Sequence, residues 1–267
     1  MSIRRKVRPP SVVGHISVPK RNGRKTPRND VSAGRRPDNR PLDTDGARAW
    51  FATYLPDDIP DETVEDLLSM WLAARDMVGG HGDGWPVNDL VSIYLTCRCY
   101  MLNSKSKAAE VGCGVGYSAA VMAGALALKD GTFTSYDDDN HFAGIARRNL
   151  QRLPWSDSAE VVLFKNRKNM RLDLDTPVAL FFIDSDDDIR ERTLIEALIG
   201  GMVTPETEIY MHDITRDRER GMCKRYYDAF GITYDVVVRE EMGLARLYLP
   251  AKKISNRALA DYLVGVK

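Results

Sequence analysis

The sequence predicts an α/β fold in which five parallel strands are followed by an antiparallel hairpin, with helices ahead of the sheet. Segments typical of strands and helices alternate from about 104 to 213, the pattern of a parallel sheet covered on both faces. A glycine-rich turn at 112–116 joins the first strand to its helix. The last two strand-like segments are separated only by residues 240–243, and so short a connection can join only antiparallel neighbours.

The first 40 residues contain twelve basic and two acidic side chains, a net charge of +10. Because the whole chain is neutral, the remainder has a net charge of −10. Prolines are frequent here and large apolar residues are rare, so the segment cannot bury enough surface to fold alone. We predict a disordered, basic, proline-rich arm over 1–42. Its partner would be nucleic acid, an anionic membrane surface or an acidic protein face; a solvated extension without a partner is the alternative.

Composition excludes several classes of protein. No run of about 18 apolar residues is present, so no membrane span is expected, and the N-terminus has no secretory signal pattern. The cysteines lack metal-ligand spacing, which favours free thiols in a reducing cytoplasm. They are Cys97, Cys99, Cys113 and Cys223.

Residues 43–103 are predicted to form a helical cap of three helices. The first begins at the capping residues 43–45, and the second begins at Pro60. The third covers about 87–102 and leads into the first strand.

The core is predicted over 104–250, with a helical tail over 251–267. Helices are expected at 140–152 and 188–200. The first strand ends at Glu110, and the others are predicted at Thr132–Asp137, Ala159–Phe164, Val178–Asp184, Glu208–Asp213, Tyr234–Arg239 and Leu244–Leu249.

The turn after the first strand combines Glu110 with three alternating glycines, Gly112, Gly114 and Gly116. Glycine lets the backbone come close to a ligand, because a Cβ there would collide with it. Glu110 can accept hydrogen bonds but would repel a pyrophosphate. The turn therefore favours a nucleoside ligand with a cationic or neutral tail over a dinucleotide; a purely structural turn is the alternative.

This E-x-G-x-G-x-G turn resembles motif I of the class I S-adenosylmethionine-dependent methyltransferases. The dinucleotide fingerprint has a different spacing, G-x-G-x-x-G. The five parallel strands and the hairpin, whose last strand is inserted antiparallel in that family, extend the resemblance over 104–250. The resemblance implies S-adenosylmethionine as cofactor. The residues expected to contact it around this turn and at the neighbouring strand ends are Glu110, Gly112, Cys113, Gly114, Gly116, Tyr117, Asp138 and Asp184.

Acidic residues follow the second strand at Asp137 and Asp138. Ligands of open α/β sheets bind beyond the carboxyl ends of the strands. In the family, the acidic residue that ends this strand accepts hydrogen bonds from the ribose diol, and Asp137 matches it. Asn166, after the third strand, matches the position that recognises the adenine edge.

The ends of the fourth and fifth strands resemble the small-molecule O-methyltransferase branch. There the fourth strand carries Asp-x-Asp, matched by Asp184 and Asp186, and the fifth ends in His-Asp, Asp-Asp or Asp-Asn, matched by His212-Asp213. In metal-dependent members, carboxylates from both ends hold a divalent ion, so Asp184 and Asp213 are candidate Mg²⁺ ligands. His212 departs from the Asp-Asp version. Its imidazole is a candidate ligand for a softer metal or a candidate general base that takes the hydroxyl proton, with Asp184 as its catalytic partner.

Two further segments have open interpretations. His81 and Trp85 lie in a glycine-rich loop that is either a lid over the site or an ordinary connection. The basic residues at 216–225 either meet an anionic acceptor or form a solvated helix face. For Asp187 and Asp188, helix capping is the preferred role.

These observations predict an S-adenosylmethionine-dependent methyltransferase that methylates an oxygen of a small-molecule acceptor. Two alternatives stay open. A nucleic-acid methyltransferase would explain the basic arm, although the sequence after the fourth strand lacks an Asn-Pro-Pro-Tyr element. A non-catalytic subunit with this fold could instead use the arm to dock in a larger assembly.

Overall fold

The computed structural model of the chain describes residues 42–78, 88–164, 177–185 and 187–265. All of them belong to one compact unit. The predictions made for the arm up to residue 41 and for His81, Trp85, Asn166 and Asp186 fall outside the described residues, as do the side chains of Asp187 and Asp188.

In the part of the chain that the structure describes, three helices precede the sheet: α1 (Thr44–Tyr54), α2 (Asp61–Val78) and α3 (Asp89–Met101). They were expected from the capping residues and the apolar spacing, and α1 begins after Asp43, whose side chain accepts a hydrogen bond from the backbone of Gly46. The three helices pack against one face of the sheet and share a hydrophobic core with it.

The sheet has seven strands in the order β3-β2-β1-β4-β5-β7-β6. The first five are parallel, and β7 runs antiparallel between β5 and β6. This topology confirms the predicted fold class. The strands are β1 (Lys107–Val111), β2 (Thr132–Asp137), β3 (Ala159–Leu163), β4 (Leu180–Ile183), β5 (Glu208–His212), β6 (Thr233–Val238) and β7 (Leu244–Tyr248).

The strand β4 is shorter than the predicted segment but is buried along its whole length. Leu180 and Phe182 pack into the core shared with the first helices. Phe181 and Ile183 pack into the core on the opposite face. Apolar side chains on both faces are what a central parallel strand requires.

Beyond β1, the described residues form five α-helices. None of the described helices is long and apolar enough to cross a membrane. The helices are α4 (Tyr117–Ala127), α5 (Asn140–Leu150), α6 (Asp187–Ile199), α7 (Asp217–Phe230) and α8 (Asn256–Gly265), with a short 3₁₀ turn at Ser156–Ser158.

The strand order reverses between β1 and β4. The chain proceeds outward from β1 through β2 to β3, then returns to β4 on the other side of β1 and continues to β5. In open α/β sheets such a switch point creates a crevice at the carboxyl ends of the strands, where ligands bind. The functional site is therefore expected above the ends of β1 and β4.

Candidate functional site

A cavity of about 700 Å³ lies at this switch point. Its walls come from the glycine turn after β1, the acidic residues after β2, the end of β4, and residues next to the starts of α3 and α7. Among the predicted site residues, those on the cavity wall are Gly112, Cys113, Gly114, Tyr117, Asp137, Asp138, Asp184 and Asp213. Glu110, Gly116 and His212 are not on that wall.

Two glycines of the turn have different structural roles. Gly112 has φ +100°, and a Cβ on it would lie 2.2 Å from the backbone oxygen of Asp184. Gly114 also has positive φ, but a Cβ there would meet no described atom within 4 Å. Gly112 is therefore needed for the close approach of the β1 and β4 ends, whereas Gly114 leaves open space on the cavity wall.

The carboxylate of Asp137 organises this turn. Its Oδ2 accepts hydrogen bonds from the backbone N–H of Cys113 (2.8 Å) and of Gly114 (3.3 Å), and its Oδ1 accepts from Asp139 (2.8 Å). Asp137 is buried and lies on the cavity wall. The predicted ribose-binding carboxylate is thus fixed in place by three backbone donors.

Glu110 occupies a different environment from the one expected. Its side chain is completely buried, and its Oε1 accepts a hydrogen bond from Ser135 Oγ at 2.7 Å. Burial, together with the charges of Asp184 and Asp137, raises the pKa of Glu110 to about 8. A carboxyl group that is largely protonated at neutral pH supports the turn from within the protein, away from the cavity wall.

A buried polar network beside Tyr117 was not predicted. The Tyr117 hydroxyl lies 3.1 Å from Ser92 Oγ, which accepts a hydrogen bond from Trp71 Nε1. Asp89, at the start of α3, is also fully buried and accepts a hydrogen bond from the backbone of Leu42. These side chains fix α3 against the glycine turn. Asp89 and Ser92 are recognised as members of this network by their burial in the structure. No sequence pattern distinguishes them from exposed polar residues of a helix.

His212 is buried, and both of its ring nitrogens have partners. Nδ1 lies 3.0 Å from Asp184 Oδ1, and Nε2 lies 2.9 Å from the backbone oxygen of Glu241. Burial by itself lowers the pKa of His212, but the charge of Asp184 and the hydrogen bond to it, with Asp213, outweigh burial and raise the pKa to about 9. A protonated imidazole with both N–H groups engaged cannot take a proton from a substrate. In this arrangement His212 positions Asp184.

The raised pKa of His212 predicts a pH-dependent stability. The protonated ring stabilises the fold fully below its ordinary pKa of 6.5, and this contribution is lost as pH rises towards 9. His212→Gln is therefore expected to be destabilised most at pH 6, by about 2–3 kcal/mol, and progressively less up to pH 9.5. Urea unfolding at several pH values measures the difference. His141→Gln, an exposed histidine on α5, is the control. A constant difference for His212→Gln would contradict the prediction.

The expected Mg²⁺ site does not fit the charges around it. Asp184, His212 and Asp213 do lie close enough together to hold an ion. However, the guanidinium of Arg190, which is also buried, lies 3.6 Å from Asp184 Oδ1 and 3.4 Å from Asp213 Oδ2. Arg216 pairs with the same Asp213 oxygen at 3.1 Å. The carboxylates are thus already paired with cations, and this pairing does not fit a site for a hard divalent cation such as Mg²⁺.

Arg190 is the functional candidate that the sequence analysis missed. It lies in the first turn of α6, and no sequence pattern distinguishes it from Arg192 of the same helix, which pairs with Glu196. Of the basic residues at 216–225, only Arg216 and Arg218 line the cavity. The others face acidic residues elsewhere: Arg220 with Asp217, Lys224 with Asp228 and Arg225 with Glu191.

Solved methyltransferase structures resemble this protein in fold. The methyltransferase PaMTH1 of Podospora anserina, bound to S-adenosylhomocysteine (SAH), superimposes with a TM-score of 0.56 at 13% identity, over 77% of this chain and 94% of that one. The O-methyltransferase of Bacillus cereus in complex with SAH gives 0.51 at 19% identity, over 75% and 100%. TomG of Streptomyces achromogenes, an O-methyltransferase of tomaymycin synthesis in complex with S-adenosylmethionine (SAM), gives a TM-score of 0.51 at 16% identity, over 76% of this chain and 96% of that one.

No protein-family model and no curated protein matches the sequence. The structural likeness therefore defines the fold: it is the Rossmann-like fold of class I SAM-dependent methyltransferases. The residues of the cavity, rather than sequence identity, have to support any statement about the reaction.

Proposed function

We propose that this protein is a SAM-dependent methyltransferase that methylates an oxygen atom of a small molecule. The observation on which the proposal depends is the cavity at the β1–β4 switch point, bounded by a glycine turn that is open at Gly114 and by the fixed carboxylate of Asp137. Its volume of about 700 Å³ lies within the usual range for small-molecule sites.

The charges on the cavity wall favour SAM over a dinucleotide. Asp137, Asp138 and Asp139 all line the side of the cavity next to the glycine turn. Carboxylates there would repel a pyrophosphate, whereas Asp137 can accept hydrogen bonds from a ribose diol. Gly114 leaves room for the cofactor against the backbone.

The acceptor is assigned to the part of the cavity formed by the ends of β4 and β5. When bound, SAM supplies a methyl group on a positively charged sulfur. Asp184 lines the cavity, and His212 holds its Oδ1 from the protein side. We assign Asp184 to accept the hydrogen bond of the acceptor hydroxyl and to take its proton when the methyl group is transferred, with His212 as a positioning residue. The rate enhancement would come mainly from holding donor and acceptor in reactive geometry.

Titration calorimetry tests the cofactor assignment first. SAM and SAH are each expected to bind at one site per chain with micromolar affinity, and NAD is expected not to bind. SAH release is then measured with a panel of phenols, carboxylic acids and alcohols, and with RNA as a separate arm. Binding of NAD alone, or of none of the three, would overturn the proposal; turnover of RNA alone would replace the small-molecule acceptor by a nucleic acid.

The partner of the basic arm remains a prediction from the sequence. We propose an anionic partner, nucleic acid or an acidic protein face, because of the net charge of +10 in the first 40 residues.

A further inference from the structure

Arg190 is a buried cation in the wall of the cavity. Its side chain is 4% exposed, yet the residue lines the cavity. Nε donates to the backbone oxygen of Ser185 (2.8 Å), and Nη1 donates to the backbone oxygen of His212 (3.4 Å) and to Glu219 Oε1 (3.2 Å). These contacts lock the guanidinium between the ends of β4 and β5 and the helix α7.

The guanidinium lies where a divalent ion would have to be. The two carboxylates that could hold such an ion, Asp184 and Asp213, both face Arg190 Nη2 at 3.6 and 3.4 Å. The remaining candidate ligand, His212, has both nitrogens engaged. A metal ion among these oxygens would be repelled by the arginine at close range, and the arginine has no room to leave without breaking its contacts to Ser185 and Glu219.

Two groups beside the cavity are left with hydrogen-bonding capacity. The Nη2 contacts of Arg190, a hydrogen bond to Asp213 Oδ2 at 3.4 Å and an ion pair with Asp184 Oδ1 at 3.6 Å, are both longer than the 2.7–3.2 Å of a well-formed hydrogen bond, so a ligand oxygen at shorter distance would compete for this group. The Ser185 hydroxyl is buried and has no hydrogen-bond partner among the described residues, although Ser185 lines the cavity. Buried hydroxyls are normally paired, and a bound oxygen would pair this one.

We propose that Arg190 takes the place of a divalent cation in this site, and that Arg190 and Ser185 together bind an anionic oxygen group of the acceptor, a carboxylate or a phenolate. That the bound group belongs to a methyl acceptor rests on the proposed methyltransferase function, whereas the replacement of the metal ion by Arg190 does not.

A manganese titration tests whether Arg190 takes the place of a divalent cation. We expect the wild-type protein to bind no Mn²⁺ in the micromolar range by electron paramagnetic resonance, and dialysis against EDTA to leave its melting temperature unchanged. Arg190→Ala should gain one Mn²⁺ site at least tenfold tighter than any wild-type binding, because its carboxylates lose their cation. Adding Asp184→Asn should remove that gain. Arg192→Ala, on the same helix and paired with Glu196, is the matched control and should gain none.

If Arg190→Ala does not fold, the Mn²⁺ titration of the wild-type protein still tests the replacement of the metal ion. One micromolar Mn²⁺ site in the wild-type protein that disappears in Asp213→Asn would overturn the proposal. An Arg190→Ala variant that folds but gains no Mn²⁺ site would also overturn it. SAH calorimetry on the same samples reports separately on the methyltransferase function, so failure of one is distinguishable from failure of the other.

A thermal-shift series tests the anionic group. Acetate, benzoate and salicylate at 10 mM are compared with acetamide, benzamide and salicylamide in the wild-type protein and in Ser185→Ala. We expect at least one carboxylate to raise the wild-type melting temperature by 2 °C or more, its amide to have no effect, and Ser185→Ala to abolish the shift. Equal shifts from an acid and its amide, or no shift from any of the acids, would overturn the anionic acceptor group.

Discussion

Gly112→Ala is expected to lower the melting temperature by about 10 °C and to abolish SAH binding. The new Cβ would lie 2.2 Å from the backbone oxygen of Asp184 and 2.7 Å from the backbone nitrogen of Ser185. Neither atom can retreat easily, because Asp184 N–H donates to Val111 and thereby holds the β4 end against β1. With φ at +100°, backbone strain adds to the clash. The combined loss is on the order of 3–5 kcal/mol. Thermal unfolding and calorimetry with SAH measure the two effects.

Gly114→Ala is the matched control two residues away. Its φ of +48° makes an L-residue unfavourable by about 1–2 kcal/mol, but the Cβ would meet no described atom within 4 Å. The variant should therefore fold with a small loss of stability. It should bind SAH, but with lower affinity than the wild-type protein, because the methyl group projects into the cavity. If Gly112→Ala were as stable as Gly114→Ala, the close approach of β1 and β4 would not exist in solution.

The fold could be predicted because each level of the sequence pattern agrees with it. Thr132–Asp137 was placed to the residue, since alternating side chains lead into an acidic turn that ends the strand. The hairpin followed from the four-residue connection, which fixes its direction. The strand β4 was overestimated at both ends, by Val178 and Ala179 at its start and by Asp184 at its end. Hydrophobicity marks burial there, but pairing with neighbouring strands sets the length.

The site was predicted less well because it depends on side-chain direction. Glu110 pairs in register with Ser135 on β2, so its side chain faces the neighbouring strand and the helix layer rather than the cavity. His212 was expected to be a base, and only the position of the Glu241 carbonyl, contributed by the distant hairpin turn, shows why it is fully hydrogen-bonded. Arg190 could not be found at all, because a long side chain's destination is not encoded in local spacing.

Asp137 and Asp139, both in the acidic run at the end of β2, have different structural roles. Asp137 accepts hydrogen bonds from three backbone N–H groups and lines the cavity. Asp139 has a different role: its side chain accepts from the backbone of His141 and Phe142 and caps α5. Asparagine caps a helix about as well as aspartate, so the two positions respond differently to the same substitution.

Asp137→Asn is accordingly expected to weaken SAH binding at least about tenfold, equivalent to about 1.4 kcal/mol, because the amide loses one acceptor oxygen and the charge that strengthens a hydrogen bond to the ribose. The same change removes a charged acceptor from the backbone of Cys113, Gly114 or Asp139, so the melting temperature should also fall by a few degrees. Calorimetry with SAH and thermal unfolding are measured in parallel on Asp139→Asn, which should stay within about twofold of wild-type affinity. Equal losses in the two variants would mean that the general negative charge near the turn, rather than the oriented carboxylate of Asp137, holds the cofactor. Wild-type affinity in Asp137→Asn would remove the residue from the binding site and leave it as a structural support of the glycine turn.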